Sequence, residues 1–329
     1  MASVDKGARL SRIGLWLGLA LLLAAPFLGV YPVFVMKALC FAIFACAFNL
    51  LLGFTGLLSF GHAAFLGAAA YITGWLVKST ELPAIVGVLG GAAFAGVLGL
   101  AIGLIAIRRQ GIYFAMITLA MAQMIYFVWL QAPFTHGEDG LQGVPRGSLA
   151  GIFSGENDLA MYYMVLAVFV AVFLFIMRIV HSPFGQVLKA IRENEPRAVS
   201  LGYDVDRYKL LAFVLSATIA GLGGALKTLV LGFATLSDAH WSLSGEVILM
   251  SLLGGLGTFA GPVIGAFTII GLQDYLADRA GSYVTVIIGV IFVVCVVAFR
   301  RGFVGELQAW LKRRRNYTPT ETVNEDRAK

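Results

Sequence analysis

Charge is scarce in this chain of 329 residues: Asp, Glu, Lys and Arg make up 13%, against 59% hydrophobic residues. Soluble domains carry about 25% charged residues, so a water-soluble fold is excluded. Cysteine is scarce as well. Cys40, Cys46 and Cys295 each sit inside an apolar run, without the paired spacing of a zinc site or the framework of a secreted disulfide domain. No Walker A sequence G-x-x-x-x-G-K-[ST] occurs, so the chain does not cradle ATP by that route, and any ATP dependence belongs to a partner. Gly255, Gly257 and Ala260 satisfy the pattern G-x-G-x-x-A, but the strand and soluble βαβ unit that pattern requires are missing. These residues are read as a tight turn between membrane segments. Nor can a nucleophile, a base and an orienting group be assembled, which argues against an enzyme, including one embedded in a membrane.

What the chain does have is long uncharged stretches. Ile13 to Val30, Leu82 to Ile107 and Val284 to Phe299 each approach the ~20 residues that cross a bilayer. Splitting the apolar runs at Pro, Gly clusters and charges gives about ten hydrophobic segments, some too short to span untilted. The expected fold is an all-α polytopic membrane protein with about ten transmembrane or re-entrant helices. Basic residues set its orientation. Lys6, Arg9 and Arg12 place the N-terminus in the cytoplasm, and Arg108 with Arg109, the stretch Arg178 to Lys209, and Arg300 with Arg301 fall on the same side if the segments alternate. The net charge of +6 therefore belongs to the ends of spans, and no nucleic-acid partner is implied. The opposite side is poor in Lys and Arg; its long loop, 132–159, carries Glu138, Asp139, Glu156 and Asp158 against a single Arg146. The division is a cytoplasmic N-terminus (1–12), a transmembrane domain (13–300) and a cytoplasmic tail (301–329) whose basic part, Lys312 to Arg315, rests in solvent or on headgroups. The basic N-terminus also resembles a signal peptide, but its apolar run exceeds the usual h-region of about 7–15 residues, and a retained first helix fits better.

Small residues recur at intervals of four: Gly87, Gly91, Ala95, Gly99 and Gly103, then Ala217, Gly221 and Ala225, then Gly261 and Gly265. Such rows let helix backbones approach closely, and packing accounts for them. Two regions look broken: Gly53 to His62, where glycines and hydroxyls interrupt an apolar path, and Leu253 to Pro262, which divides two short apolar segments into a hairpin. Polar groups at membrane depth are costly and default to function. Asn49, Thr55, Ser59 and His62 at the first break, with Ser244 and Glu246 after the loop containing Asp238, His240 and Trp241, are the candidates for a translocation path. The plainer alternatives are a hydrogen-bonded packing histidine for His62 and a helix-capping carboxylate for Glu246. No metal site is expected, since no second His or Cys sits at ligand spacing from His62. Lys37, Asp274 and Asp278 are expected near an interface, where they can snorkel.

The segment 181–209 is the most informative polar region. Phe184, Val187, Leu188 and Ile191 share one helical face, while Gln186, Lys189, Arg192 and Glu193 lie elsewhere. A second short helix is expected from Glu195 and Pro196 to a stop at Gly202, with Asp204 capping the next membrane helix. Periodicity alone leaves two readings, an interfacial helix on lipid headgroups or a docking element for a cytoplasmic protein.

The run Ser182-Pro183-Phe184-Gly185-Gln186-Val187-Leu188-Lys189-Ala190-Ile191-Arg192-Glu193-Asn194-Glu195, continuing through Arg197-Ala198 to Leu201-Gly202-Tyr203, resembles the cytoplasmic coupling loop of LivM-type branched-chain amino acid permeases. The stretches Asn49 to Phe65, Lys209 to Ala217 and Ser244 to Pro262 are similar to the same family, so the likeness covers roughly residues 38–305. Two departures stand out. His136 replaces a glycine in Thr135-His136-Gly137-Glu138-Asp139-Gly140-Leu141, which puts that loop's backbone in question, and Arg300-Arg301-Gly302 stands where the family has Pro-Arg-Gly.

The resemblance implies a multi-pass subunit of an ABC importer in the bacterial inner membrane, with branched-chain amino acids (leucine, isoleucine, valine) or related amino acids as cargo. It implies no cofactor on this chain, ATP being used by two cytoplasmic ATPase subunits. A homologous permease subunit would complete a heterodimer, and a periplasmic substrate-binding protein would deliver the cargo. The coupling loop would dock the ATPase through Phe184, Leu188, Ile191, Arg192, Glu193, Glu195, Arg197 and Gly202. Related permeases pass urea or short amides. A rival class, an ion-coupled secondary transporter, would need a buried carboxylate near a broken helix, for which Glu246 is the candidate.

Overall fold

The computed structural model of the chain describes residues 18–29, 31–80, 83–146, 148–149, 153–154, 157–283, 286–291, 293 and 302. The sequence expectations that rest on Lys6, Arg9, Arg12, Glu156, Cys295, Arg300, Arg301 and the tail from Lys312 to Arg315 lie outside these residues, as does the side chain of Asp278.

In hydrocarbon every backbone N–H and C=O needs an internal partner, and helices supply it within one segment. The described chain is accordingly helical: α1 (Gly18–Phe27, its last turn 3₁₀), α2 (Pro32–Thr55), α3 (His62–Ser79), α4 (Ala84–Ala106), α5 (Ile112–Gln131), α6 (Asp158–His181), α7 (Pro183–Glu193), α8 (Glu195–Ser200), α9 (Val205–Leu231), α10 (Trp241–Gly254) and α11 (Gly261–Ala280). A two-residue hairpin, Ser148–Leu149 against Phe153–Ser154, is the exception within the long loop after α5. Among the described residues five helices, α2, α4, α5, α6 and α9, are long and apolar enough to cross a membrane. With 14 residues α10 is about 21 Å long, short of a ~30 Å hydrocarbon core.

Two helices form the centre. α9 packs against α2, α3 and α4, while α2 also meets α6 and α11, and α10 pairs with α11. The small-residue rows explain why α4, α9 and α3 approach so closely: a Cβ on Gly99 would lie 2.5 Å from Ala217 Cβ, and Gly224 presses against the backbone of Leu66. Lipid tails offer no hydrophobic drive for association, so this contact surface holds the bundle together.

One end of the bundle gathers the loop after α5 and the exit of α9. Leu141 and Ala234 exchange backbone hydrogen bonds, Val144 N–H donates to Gly232 O at 2.8 Å, and Lys78 Nζ donates to Gln142 O at 2.7 Å. In that loop His136 takes φ 57°, the one left-handed non-glycine among the described residues. The histidine that departs from the family pattern therefore adopts a conformation glycine favours, at a cost of about 1–2 kcal/mol. The other end gathers α7, α8, the start of α9 and the end of α2.

Candidate functional site

Two of the non-helical links between apolar helices carry the polar residues read from the sequence. α2 stops at Thr55 because Gly56 turns left-handed (φ 81°), donating its N–H to Leu52 O, and residues 56–61 then run back non-helically to α3. Between α10 and α11, Gly255 (φ 115°) and Gly257 (φ 73°) make a second turn, with Thr258 Oγ1 accepting from Gly261 N–H at 3.1 Å. Backbone without helical pairing survives at membrane depth only when protein surrounds it or it lines a water-filled cavity.

Protein side chains supply the missing partners. Phe60 N–H donates to Thr118 Oγ1 (3.2 Å), Gly61 N–H to Ser59 Oγ (3.2 Å), and Ala63 N–H to Ser244 Oγ (2.9 Å). Ser59 and Ser244 thus act on the backbone at the start of α3, both fully buried. Thr55, also buried, returns its hydroxyl to Leu50 O. His62 is fully enclosed: Nε2 lies 2.8 Å from Ser216 Oγ, which donates to Ala47 O, and the rings of Phe44, Phe48, Phe65 and Phe213 surround the imidazole.

Asn49 reaches from α2 to the second turn. Its Nδ2 donates to Thr258 O (2.9 Å) and its Oδ1 accepts from Gly257 N–H (3.0 Å), so one buried amide holds two successive residues of the α10–α11 turn. Gly53, one turn further along α2, has no room for a side chain, since a Cβ there would lie 2.8 Å from Gly257 N. Its carbonyl accepts from Arg192 Nη1 of α7. Around this contact Lys189 Nζ sits 5.9 Å over the Phe54 ring, Phe54 packs on Phe259 at 5.5 Å, and His181 stacks on Phe259 at 5.3 Å. Gly302 closes from another side, its Cβ position 2.6 Å from Gly255 N.

α7 is held firmly. Ser182 caps it, accepting from Gly185 N–H (3.4 Å), and Gly185 lies against the carbonyls of Ile179 and Val180. Leu188 and Ile191 turn into the chain, and Phe184 stacks on Tyr208 at 5.6 Å. Asn194 caps α8 through Arg197 N–H (3.1 Å), Gly202 (φ 86°) follows its end, and Asp204 caps α9 through Arg207 N–H. Glu195 accepts from Lys209 Nζ (2.6 Å) and Gln110 Nε2 (2.8 Å). Of the predicted docking residues Arg192, Glu193, Arg197 and Gly202 are exposed, Arg192 even as its guanidinium reaches the Gly53 carbonyl, and Val199, Leu201 and Tyr203 are exposed beside them.

Glu246 stands apart, at the other end of the bundle. It does not cap α10; half-buried, it accepts from Gln273 Nε2 of α11 at 3.0 Å. The sequence had also left unmarked a buried ion pair, Lys227 with Asp238, whose signal was a single lysine in an otherwise uncharged apolar run. No group of three or more His, Cys, Asp or Glu suited to a metal occurs among the described residues.

Comparison with known proteins covers nearly all of this architecture. Residues 33–296 match the family described as branched-chain amino acid transport system / permease component. The chain is similar to the high-affinity branched-chain amino acid transport system permease protein LivM of Escherichia coli (strain K12), with 25% identity over 301 residues, 83% of this chain and 69% of that protein. It is 26% identical over 185 residues to the probable branched-chain amino acid transport permease protein LivM of Methanocaldococcus jannaschii, 54% of this chain and 52% of the relative. The autoinducer 2 import system permease protein LsrC of Salmonella choleraesuis is 26% identical over 216 residues, 63% of this chain and 51% of that protein. No solved structure matches.

Proposed function

The chain belongs to the family of permease components of branched-chain amino acid transport systems, and from that premise we propose that it forms the translocation pathway of an ATP-driven importer for leucine, isoleucine, valine or a related amino acid. It is a multi-pass membrane protein, and membership of this family implies association with other transporter subunits. In our reading those are a homologous permease, two cytoplasmic ATPase subunits and a periplasmic binding protein, in a bacterial inner membrane. ATP is consumed by the partners. Both termini and the α7–α8 end face the cytoplasm, as the distribution of Lys and Arg favours. The cargo rests on the names of the LivM relatives; the LsrC relative, named for autoinducer 2, marks the family as wider than amino acids.

The observation that carries the mechanism is the Arg192 contact. α7 exposes Glu193, and α8 exposes Arg197, to a docking protein, while Arg192 reaches back to the Gly53 carbonyl beside the Asn49-clamped turn. Movement of α7 under a closing ATPase dimer is thereby delivered to the non-helical turns after α2 and after α10. Those places bend most readily, because no continuous ladder of helical hydrogen bonds resists. Asn49, Thr55, Ser59, His62 and Ser244 hold the hinge regions together from inside, and Glu246 belongs to the pathway surface.

Copurification tests the reading. The tagged chain, extracted in detergent together with its partners, should bring ATPase subunits with it, and Arg197→Glu should lower that recovery. Stable chain that recovers no ATPase under any condition would favour the ion-coupled secondary transporter.

A further inference from the structure

Five ionisable side chains and an amide converge at the end of the bundle opposite α7. Lys37 of α2 pairs with Asp274 of α11 at 2.8 Å, Glu246 of α10 accepts from Gln273 of α11 at 3.0 Å, and Lys227 of α9 pairs with Asp238. Glu246 lies within Coulombic reach of both lysines. Lys37, Lys227, Glu246 and Asp274 each stand four to six residues inside a helix end, about 6–9 Å along the axis.

The cluster has two layers. Lys227 and Asp238 are sealed, at 9% and 6% side-chain exposure, and Asp238 is further fixed by Thr235 N–H at 3.2 Å. Lys37 and Asp274 are open, at 28% and 41%, and Glu246 and Gln273 are half-buried beside them. An open charged patch at this depth is costly against acyl chains, so it faces water or protein. Its charges do not balance: two lysines stand against three carboxylates, Asp238, Asp274 and Glu246. Each lysine holds its own aspartate. Glu246 is left with a neutral amide, and among the described residues no Lys, Arg or His nitrogen lies within 4 Å of it. Lys37, with three N–H donors, retains capacity beyond Asp274.

The cluster therefore lacks one cation and has a spare donor nearby, and a zwitterionic α-amino acid brings an ammonium and a carboxylate one carbon apart. We propose that Glu246 and Lys37 form an entry site for the cargo, Glu246 receiving the ammonium and Lys37 the carboxylate, while Gln273 and Asp274 hold the two side chains in position. This rests on the transporter reading above and adds to it the groups that recognise the cargo's common head. The apolar side chain of the cargo is not read here, which suits a pathway that passes several amino acids. A half-exposed site also releases its occupant readily, as conduction requires.

The test uses the complete transporter with its binding protein in proteoliposomes and radiolabelled leucine as the probe. Glu246→Gln should lower kcat/KM for uptake by about tenfold, the scale of one charge-assisted hydrogen bond, and Glu246→Asp should restore most of it. A thiol at the position gives a second readout that needs no transport. In Glu246→Cys, a trimethylammonium methanethiosulfonate reagent added from the side of that helix end should label the chain, and high leucine concentration should slow the labelling. Uptake by Glu246→Gln at the wild-type rate overturns the proposal, as does equal impairment of Glu246→Gln and Glu246→Asp, or labelling that leucine does not slow. Wild-type vesicles that take up no leucine would sink the transporter reading instead, and the labelling experiment would still decide the site.

Discussion

At the scale of single residues, the side chains that matter most are those that satisfy backbone or charge where no water reaches. Asn49 is one, since its amide meets both Gly257 N–H and Thr258 O. Asn49→Leu keeps the approximate volume and removes both partners, leaving a buried donor and acceptor unpaired at about 1–3 kcal/mol each. A lowered Tm of the purified chain in detergent is expected; an unchanged Tm would mean the turn is held by something else. Lys227 and Asp238 make a sharper case. Lys227→Met leaves an unpaired buried carboxylate and should destabilise by about 3–5 kcal/mol, whereas adding Asp238→Leu removes the orphan and should recover much of the loss. Chemical denaturation of the three variants in detergent reads this directly, and a double variant no better than the single one would refute it.

At the scale of elements, much was legible because the signals are local. Pro at the starts of α7 and α8, Ser182, Asn194 and Asp204 as caps, and the apolar face of Leu188 and Ile191 are all read within a few residues of where they act. Gly202 stops α8 as expected: the last helical residue is Ser200, Gly202 turns left-handed, and the N–H groups of Gly202 and Tyr203 donate back to Val199 O (2.9 Å) and Ala198 O (3.2 Å). The small-residue rows announced close packing of α4 and α9 in the same way. What the sequence could not show is which way a long side chain turns. Arg192 sits on the polar face of an amphipathic helix, which reads as outward, yet its guanidinium meets a carbonyl 139 positions away. Asn49 likewise finds partners more than 200 positions on. These pairings depend on the tertiary arrangement, and no periodicity encodes them. They also separate two roles within one short segment. Arg192→Ala should leave ATPase subunits bound, while uptake per ATP hydrolysed falls by roughly tenfold, the worth of one charge-assisted bond. Parallel measurement of hydrolysis and uptake in proteoliposomes checks it; loss of ATPase recovery would return Arg192 to the docking surface.

At the scale of the whole molecule, the question is which face meets lipid and which meets protein, and exposure alone does not separate them. On α4, Leu89 and Val97 are 62% and 66% exposed; on α11, Ile264 and Tyr275 are 44% and 59% exposed. The neighbours differ. The outer faces of α4 and α5 carry Ile85, Leu100, Leu104, Met116, Met124 and Phe127, all apolar, as acyl chains require. The face made by α2, α10 and α11 carries Lys37, Glu246, Thr268 and Asp274, which acyl chains do not tolerate well. In the two-permease transporter proposed above the pathway would lie between the subunits, which predicts that the polar face turns toward the second permease and the apolar faces toward lipid. Nitroxide labels distinguish the two. A label at Leu89 or Val97 should collide with oxygen dissolved in the bilayer whether or not the homologous permease is present. One at Ile264 or Tyr275 should lose mobility when that subunit is added. Labels on α11 that stay as mobile in the assembled transporter as in the isolated chain would place the second subunit elsewhere and leave the charges of this face to water alone.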